Sequence, residues 1–172
     1  MNNKENEQVV LYAPHTDLVM AVMRSPKLGQ TPEPEALTRF ARMIDAVALI
    51  MDAKRLGAGD ADMIAALVVA QVRQEPLVAN LTWEEAGKAL QDGAFGKYGE
   101  VYKLSAATIF GFLTAYALSD EKTDINRKVV ALRTDEERRR QEKVAEFLKA
   151  HPAYAEIARK NYIENQKLFN KR

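Results

Sequence analysis

Between Pro34 and Leu56, apolar side chains recur every three or four residues, at Leu37, Phe40, Ala41, Ile44, Val47, Ala48 and Met51. That spacing gathers them on one face of a helix and leaves the intervening charges on the other. Pro34 suits the first turn, where its missing N–H has no partner to lose, and Gly57 stands at the C-terminal cap position. No segment alternates apolar and polar residues with the period of two that a half-buried strand needs. The chain is therefore expected to be all-α.

Further helices follow from the same reasoning. A short one is expected from about Thr16 to Met23, with Leu18, Val19, Val22 and Met23 on its apolar side. The segment SPKLGQTPEPE holds three of the six prolines and reads as a linker, ordered or flexible. Asp60 is a good N-cap for a helix over Ala61–Gln74, with Met63, Ile64, Leu67 and Ala70 inward, and Pro76 marks its end. Joined by a Gly-Ala-Gly turn, the helices on either side of it should form an antiparallel hairpin. Thr82-Trp-Glu-Glu85 is a capping box, with Leu81 and Ala86 placed for a weak hydrophobic staple. The helix it opens ends at Gly93. Ser105 caps the next, which puts Ile109, Phe112, Leu113 and Tyr116 on one face. Gly111 within it points to close approach of a neighbouring helix. A charged helix spans about Thr123–Ala150, His151-Pro152 breaks it, and a last helix covers about Ala153–Phe169. The expected organisation is a flexible N-terminus over 1–13, a compact helical bundle over 14–118 and an extended basic helical arm over 119–172.

Composition narrows the chemistry. There is no cysteine, which excludes disulfides, thiolate-bound zinc and thiol catalysis and fits a reducing cytoplasm. The opening MNNKENEQ lacks the apolar stretch of a signal peptide. The longest apolar runs, such as Ala65–Ala70, fall far short of the roughly 18 residues that cross a membrane, so no membrane role is expected. Only two histidines occur, each beside a proline, and none of the common hydrolase, metalloprotease or nucleotide-binding motifs is present. Asp60 and Asp62 could begin a calcium loop, but Gln71 stands where that loop needs glutamate. Asp45 and Asp52 share a helical face without histidine partners. The expectation is no catalytic residue, no metal and no cofactor.

The run Thr82–Tyr116 concentrates the only tryptophan, three tyrosines and the loop Gly93-Ala-Phe-Gly-Lys-Tyr-Gly99. One reading is structural: Gly93 ends a helix, Gly96 and Gly99 permit positive φ, and Phe95, Tyr98 and Tyr102 pack the loop onto the core. A phosphate loop is a second, although no strand precedes the glycines and no Lys-Ser/Thr opens the next helix. A third takes the unit as a helix-turn-helix variant, in which Lys97, Tyr98, Lys103, Ser105 and Thr108 meet phosphates or bases. The second helix is almost free of charge, which weighs against it.

The halves of the chain differ in charge. Residues 1–120 hold 11 Lys and Arg against 15 Asp and Glu, or −4, and residues 121–172 hold 14 against 9, or +5. Arg138, Arg139, Arg140 and Lys143 dominate the arm, and on a helix the three arginines fan over much of the circumference. Asp135, Glu136 and Glu137 lie one turn earlier and would neutralise part of that charge. The arm reads as a solvated mixed-charge helix, as a nucleic-acid contact, or as a surface for a protein partner or self-association through Val129, Val130, Leu132, Val144, Phe147 and Leu148.

The 82–116 unit also resembles uncharacterised small helical proteins of phages and mobile elements of Bacteroides-type bacteria. The shared pattern is carried by Glu85, Ala89, Gly93, Gly96, Tyr98, Gly99, Tyr102, Leu104, Phe112 and Tyr116. Ser105 departs from it, since asparagine tends to follow the leucine. The resemblance covers residues 82–116 alone and implies a replication-associated or DNA-processing accessory role without a catalytic residue. The expected function is a non-enzymatic DNA-binding or replication-associated adaptor, with Lys97, Tyr98, Lys103, Arg138, Arg139, Arg140 and Lys143 as contact residues. The alternative is an assembly protein that oligomerises through its long helices.

Overall fold

The computed structural model describes residues 17–51, 57, 59–101 and 103–169, and every regular element of more than one residue among them is helical. His15, Asp52, Tyr102, Lys171, Arg172 and the N-terminal segment 1–13 lie outside the described residues. Asp17 opens α1 (Leu18–Arg24) by accepting the Val19 and Met20 N–H groups. The proline-rich stretch after it is built into the core, unlike a free connector. Leu28 is buried in a 3-10 turn over Leu28–Gln30, and its N–H donates to the Leu81 carbonyl at 2.8 Å. Lys27 and Thr82 form an antiparallel bridge. The Trp83 indole N–H donates to Thr31 Oγ1 at 2.8 Å, and the Trp83 ring packs 4.9 Å from that of Phe40.

Helix α2 (Glu33–Ile50) carries Pro34 and two glutamates in its first turn, where the helix dipole favours negative charge. It buries Phe40, Ala41, Ile44, Val47 and Ala48 and has Met51 at its C-cap, while the end expected at Leu56 lies outside the described residues. Gly57 does not cap it. The Gly57 N–H instead donates to Asp60 Oδ2 at 2.7 Å, on the approach to α3 (Asp60–Gln74). Gly59, with φ 87°, takes the N-cap position expected of Asp60, a left-handed conformation that a side chain would disfavour.

The buried face of α3 is Ala61, Ile64, Ala65, Val68, Val69 and Val72, whereas Met63, Leu67 and Ala70 are exposed. Small and β-branched residues face inward because α3 packs against α2 on one side and α6 on another. Pro76 ends α3 and begins the single-turn α4 (Pro76–Ala79), capped by Glu75. Helices α5 (Trp83–Ala94) and α6 (Ala106–Ala117) follow, and Ile109, Phe112, Leu113 and Tyr116 all point into the core as their spacing requires.

Gly93 and Gly111 exchange the roles expected of them. Gly111 is exposed, and a Cβ there would meet no atom within 4 Å, so no neighbour among the described residues approaches it. The close approach is at Gly93, buried inside α5 against the ring of Phe112. Gly111→Ala should therefore stabilise the protein by about 1 kcal/mol, by removing glycine's backbone entropy from a helix interior. A thermal melt checks this, and an unchanged or lower midpoint would contradict it.

Two compact units are present, Met1–Val129 and Val130–Arg172. The first takes in the opening turns of α7 (Asp120–Ala150), where Ile125 and Val129 are buried. The second holds the rest of α7 and α8 (Pro152–Phe169), and none of its described residues is buried. Pro152 separates the two helices while His151 links them, donating its N–H to Phe147 O and accepting that of Tyr154. No helix among the described residues is long and apolar enough to cross a membrane.

Candidate functional site

The capping box at the start of α5 forms as its residue types dictate. Thr82 Oγ1 accepts the Glu85 N–H, while Glu85 Oε2 accepts the Thr82 N–H at 2.9 Å and its hydroxyl at 3.1 Å. Glu85 has no exposed surface, and its second oxygen holds the ammonium of Lys122 on α7. A capping residue has thus become half of a buried ion pair. One turn on, Lys88 pairs with Asp92 at 3.0 Å and with Glu121 at 3.3 Å. Lys97 reaches the same two carboxylates at 2.6 and 2.7 Å. Three lysines and three carboxylates therefore tie α5, the glycine loop and the start of α7 together with no net charge.

This geometry gives Lys97 a structural task. The hydrogen bond to Asp92, then that to Glu121, pushes its ammonium above the usual lysine range, so the charge is fixed and engaged. The hydroxyls of Tyr98 and Tyr116 are buried beside this cluster, without a hydrogen-bond partner among the described residues. Burial first, then the charge of Asp92, pushes Tyr98 up to about 12. Burial and then Glu85 push Tyr116 higher still. Both phenols remain neutral at physiological pH, as packed aromatics and not as general bases.

The loop amides are turned onto the loop itself. Gly96 N–H donates to Gly93 O, Lys97 N–H to Asp92 O and Gly99 N–H to Gly96 O, so they do not converge on an anion. Gly96 and Gly99 have φ of 82° and 107°, the positive values their positions imply. Gly93 lies within α5 and does not terminate it. Phe95 is 71% exposed and does not pack the loop down, whereas Tyr98 is half-buried with its ring 6.2 Å from that of Phe112. Lys103 is exposed, and its carbonyl accepts the Thr108 hydroxyl at 2.8 Å, next to the Ser105 cap. The apolar face of α6 is core. Among the described residues, no group of three or more His, Cys, Asp or Glu is placed to hold a metal.

The arm separates residues that adjoin in sequence. Arg138 pairs with Asp135 and Glu142, each at 3.2 Å, and Asp135 foremost raises its already high pKa. Arg139, Arg140 and Lys143 lie on a different face, and among the described residues none of them pairs with a carboxylate. With Glu136, Val144 and Phe147 they line a shallow open groove of about 460 Å³. The contact residues inferred from sequence thus fall into three sets: Lys97 and Tyr98 in the body's polar cluster, Lys103 alone, and the α7 face without Arg138. Phe147, His151 and Tyr154 adjoin that face. The signal that could have found them was their spacing of four and three residues, which continues the step from Lys143 to Phe147.

No protein-family model, curated protein or solved structure matches the chain.

Proposed function

We propose that the protein is a non-enzymatic, replication-associated adaptor that holds nucleic acid, DNA foremost, on the Arg139–Arg140–Lys143 face of α7. The observation that carries this is the set of three cations, Arg139, Arg140 and Lys143, on one groove-lining face, none of them paired with a carboxylate among the described residues. Lys88, Lys97 and Lys122, by contrast, are each held by carboxylates of the body. The separation of charge, −4 over residues 1–120 and +5 over 121–172, favours a polyanion at the same end. An accessory role in a protein of phage or mobile-element origin is the one implied by the pattern in residues 82–116, and the absence of cysteine suits a cytoplasmic setting.

Salt dependence tests the reading. Bound phosphates release counterions, so affinity for duplex DNA should fall steeply with salt, with a log–log slope of about −0.9 per phosphate contact. R139A/R140A/K143A should flatten that slope by about 2 to 3, whereas R138A, whose charge is engaged elsewhere, should leave it close to that of the unmodified protein. Equal losses in the two variants, or unchanged binding in the triple variant, would remove the α7 face from consideration.

A second reading is favoured by one specific observation. Val130, Val144, Phe147, Tyr154, Ile157, Tyr162 and Ile163 are all exposed on α7 and α8, and such apolar faces suit an assembly protein that oligomerises through its long helices. Light scattering on the full chain decides it: a monomer at every concentration is incompatible with assembly.

A further inference from the structure

We infer that the α7 groove and the aromatic cluster beyond it form one continuous face for single-stranded nucleic acid. The inference rests on the reading of Arg139, Arg140 and Lys143 as phosphate contacts, and it names the form of polyanion they take. Positions 136, 139, 140, 143, 144 and 147 advance in steps that keep them on one side of α7, over about 16 Å of its axis. At the end of the helix the aromatic cluster carries on from Phe147. His151 stacks on Phe147 with ring centroids 4.4 Å apart, and Tyr154 lies 5.8 Å from Phe147 and 6.1 Å from His151. A cationic half and an aromatic half therefore meet at Phe147.

The two halves have different needs. Phosphates satisfy the cations. The rings are another matter, for Phe147 is 50% and Tyr154 58% exposed, in a unit with no buried side chain among its described residues. Exposed aromatic faces beside a cationic track are what unpaired bases stack upon, and they accept any base because every base has a π-face. A duplex keeps those faces inside its own stack and presents only edges and phosphates, so it would leave the rings uncovered. Val144 and Phe147 give the groove an apolar floor, which contact with phosphate alone does not use. Glu136 sits at the far end, where its carboxylate repels a backbone running past Arg139. A bound strand thus runs from Arg139 towards Tyr154.

The test is titration of the full-length protein into a labelled oligothymidine strand and into a duplex of equal length, at matched salt. The strand should bind about tenfold tighter or more. F147A and F147L should each weaken strand binding by about five- to 150-fold and leave duplex binding unchanged. Because Phe147 is half exposed, both variants should keep the native far-ultraviolet dichroism. F147W should retain affinity, and its added indole should be quenched by the strand over the constant signal of buried Trp83. Equal, salt-sensitive affinity for strand and duplex, untouched by either Phe147 variant, overturns this inference and leaves the polyanion reading in place. Absence of binding to both at low salt overturns both. A Phe147-dependent dimer that binds no strand assigns the face to a second copy of the chain, and likewise overturns both.

Discussion

Lys122→Met should cost about 3 to 5 kcal/mol of stability, the loss expected when one partner of a buried ion pair is removed. The carboxylate of Glu85 has no exposed surface, and Lys122 supplies an ammonium partner from a position 37 residues away in sequence. Removing the ammonium leaves an anion in the core with the Thr82 N–H and hydroxyl as its remaining donors. Such a charge cannot recover its hydration without opening the core around Glu85, and it is this residual anion that destabilises. The double variant E85Q/K122M separates that cause from lost packing. Glutamine can still accept the Thr82 N–H, so the cap persists while the stranded charge is gone, and most of the loss should be recovered. Urea unfolding of the three proteins measures it. If the double variant is no more stable than K122M, the charge is not the cause.

Gly93→Ala is expected to follow at about 2 to 3 kcal/mol, although alanine is the better helix former by about 1 kcal/mol. A Cβ at Gly93 would stand 2.3 Å from Phe112 Cγ and 2.4 Å from both Cδ atoms. Carbon atoms pack best at about 3.5–4.0 Å, so the ring or the helix must retreat by more than an ångström. Phe112 is buried in the same core as Tyr98 and Leu113, and close-packed surroundings leave it no vacant direction. The contrast with Gly111→Ala is the sharper check: the same change, one helix on, has the opposite sign. Pairing G93A with F112L should cost less than the sum of the single losses, because the shortened side chain makes room for the methyl. Strict additivity would mean that the two residues do not meet.

Local chemistry was the legible part of the chain. The Thr82–Glu85 capping box and the Ser105 cap need only a fixed spacing and backbone amides, so the residues themselves predict them. The buried face of α6 was legible because four of its five largest apolar residues, Ile109, Phe112, Leu113 and Tyr116, share one face at three- and four-residue spacing. Helix α3 was not, since Met63, Ile64, Leu67, Val68 and Val69 cover most of its circumference and periodicity selects no face. Which side turns inward is decided by α2 and α6, through their demand for small side chains. The same limit explains the glycines: Gly93 and Gly111 are equivalent as residues, and only the pairing of α5 with α6 distinguishes them. In the arm, Arg138, Arg139 and Arg140 look alike in order, yet successive residues on a helix are turned by about 100°. That rotation takes Arg138 to its acidic neighbours and leaves the other two on the groove.

The contacts of Trp83 bear on how this protein folds as well as on how it is held. Its indole reaches Thr31 across 52 residues of chain, and the Leu28–Leu81 hydrogen bond closes the same interval. Everything from α2 to α4 is therefore an excursion that leaves one point and returns to it. Bringing the ends of such a loop together costs entropy that grows as about (3/2)RT ln n, before any of these bonds is made. The hairpin of α2 and α3 closes a shorter loop at a smaller entropic cost, because its partners are near neighbours in sequence. The expected order of folding is therefore the hairpin first and then the seam between residues 26–31 and 81–83, an order that φ-values at Phe40 and Trp83 would check.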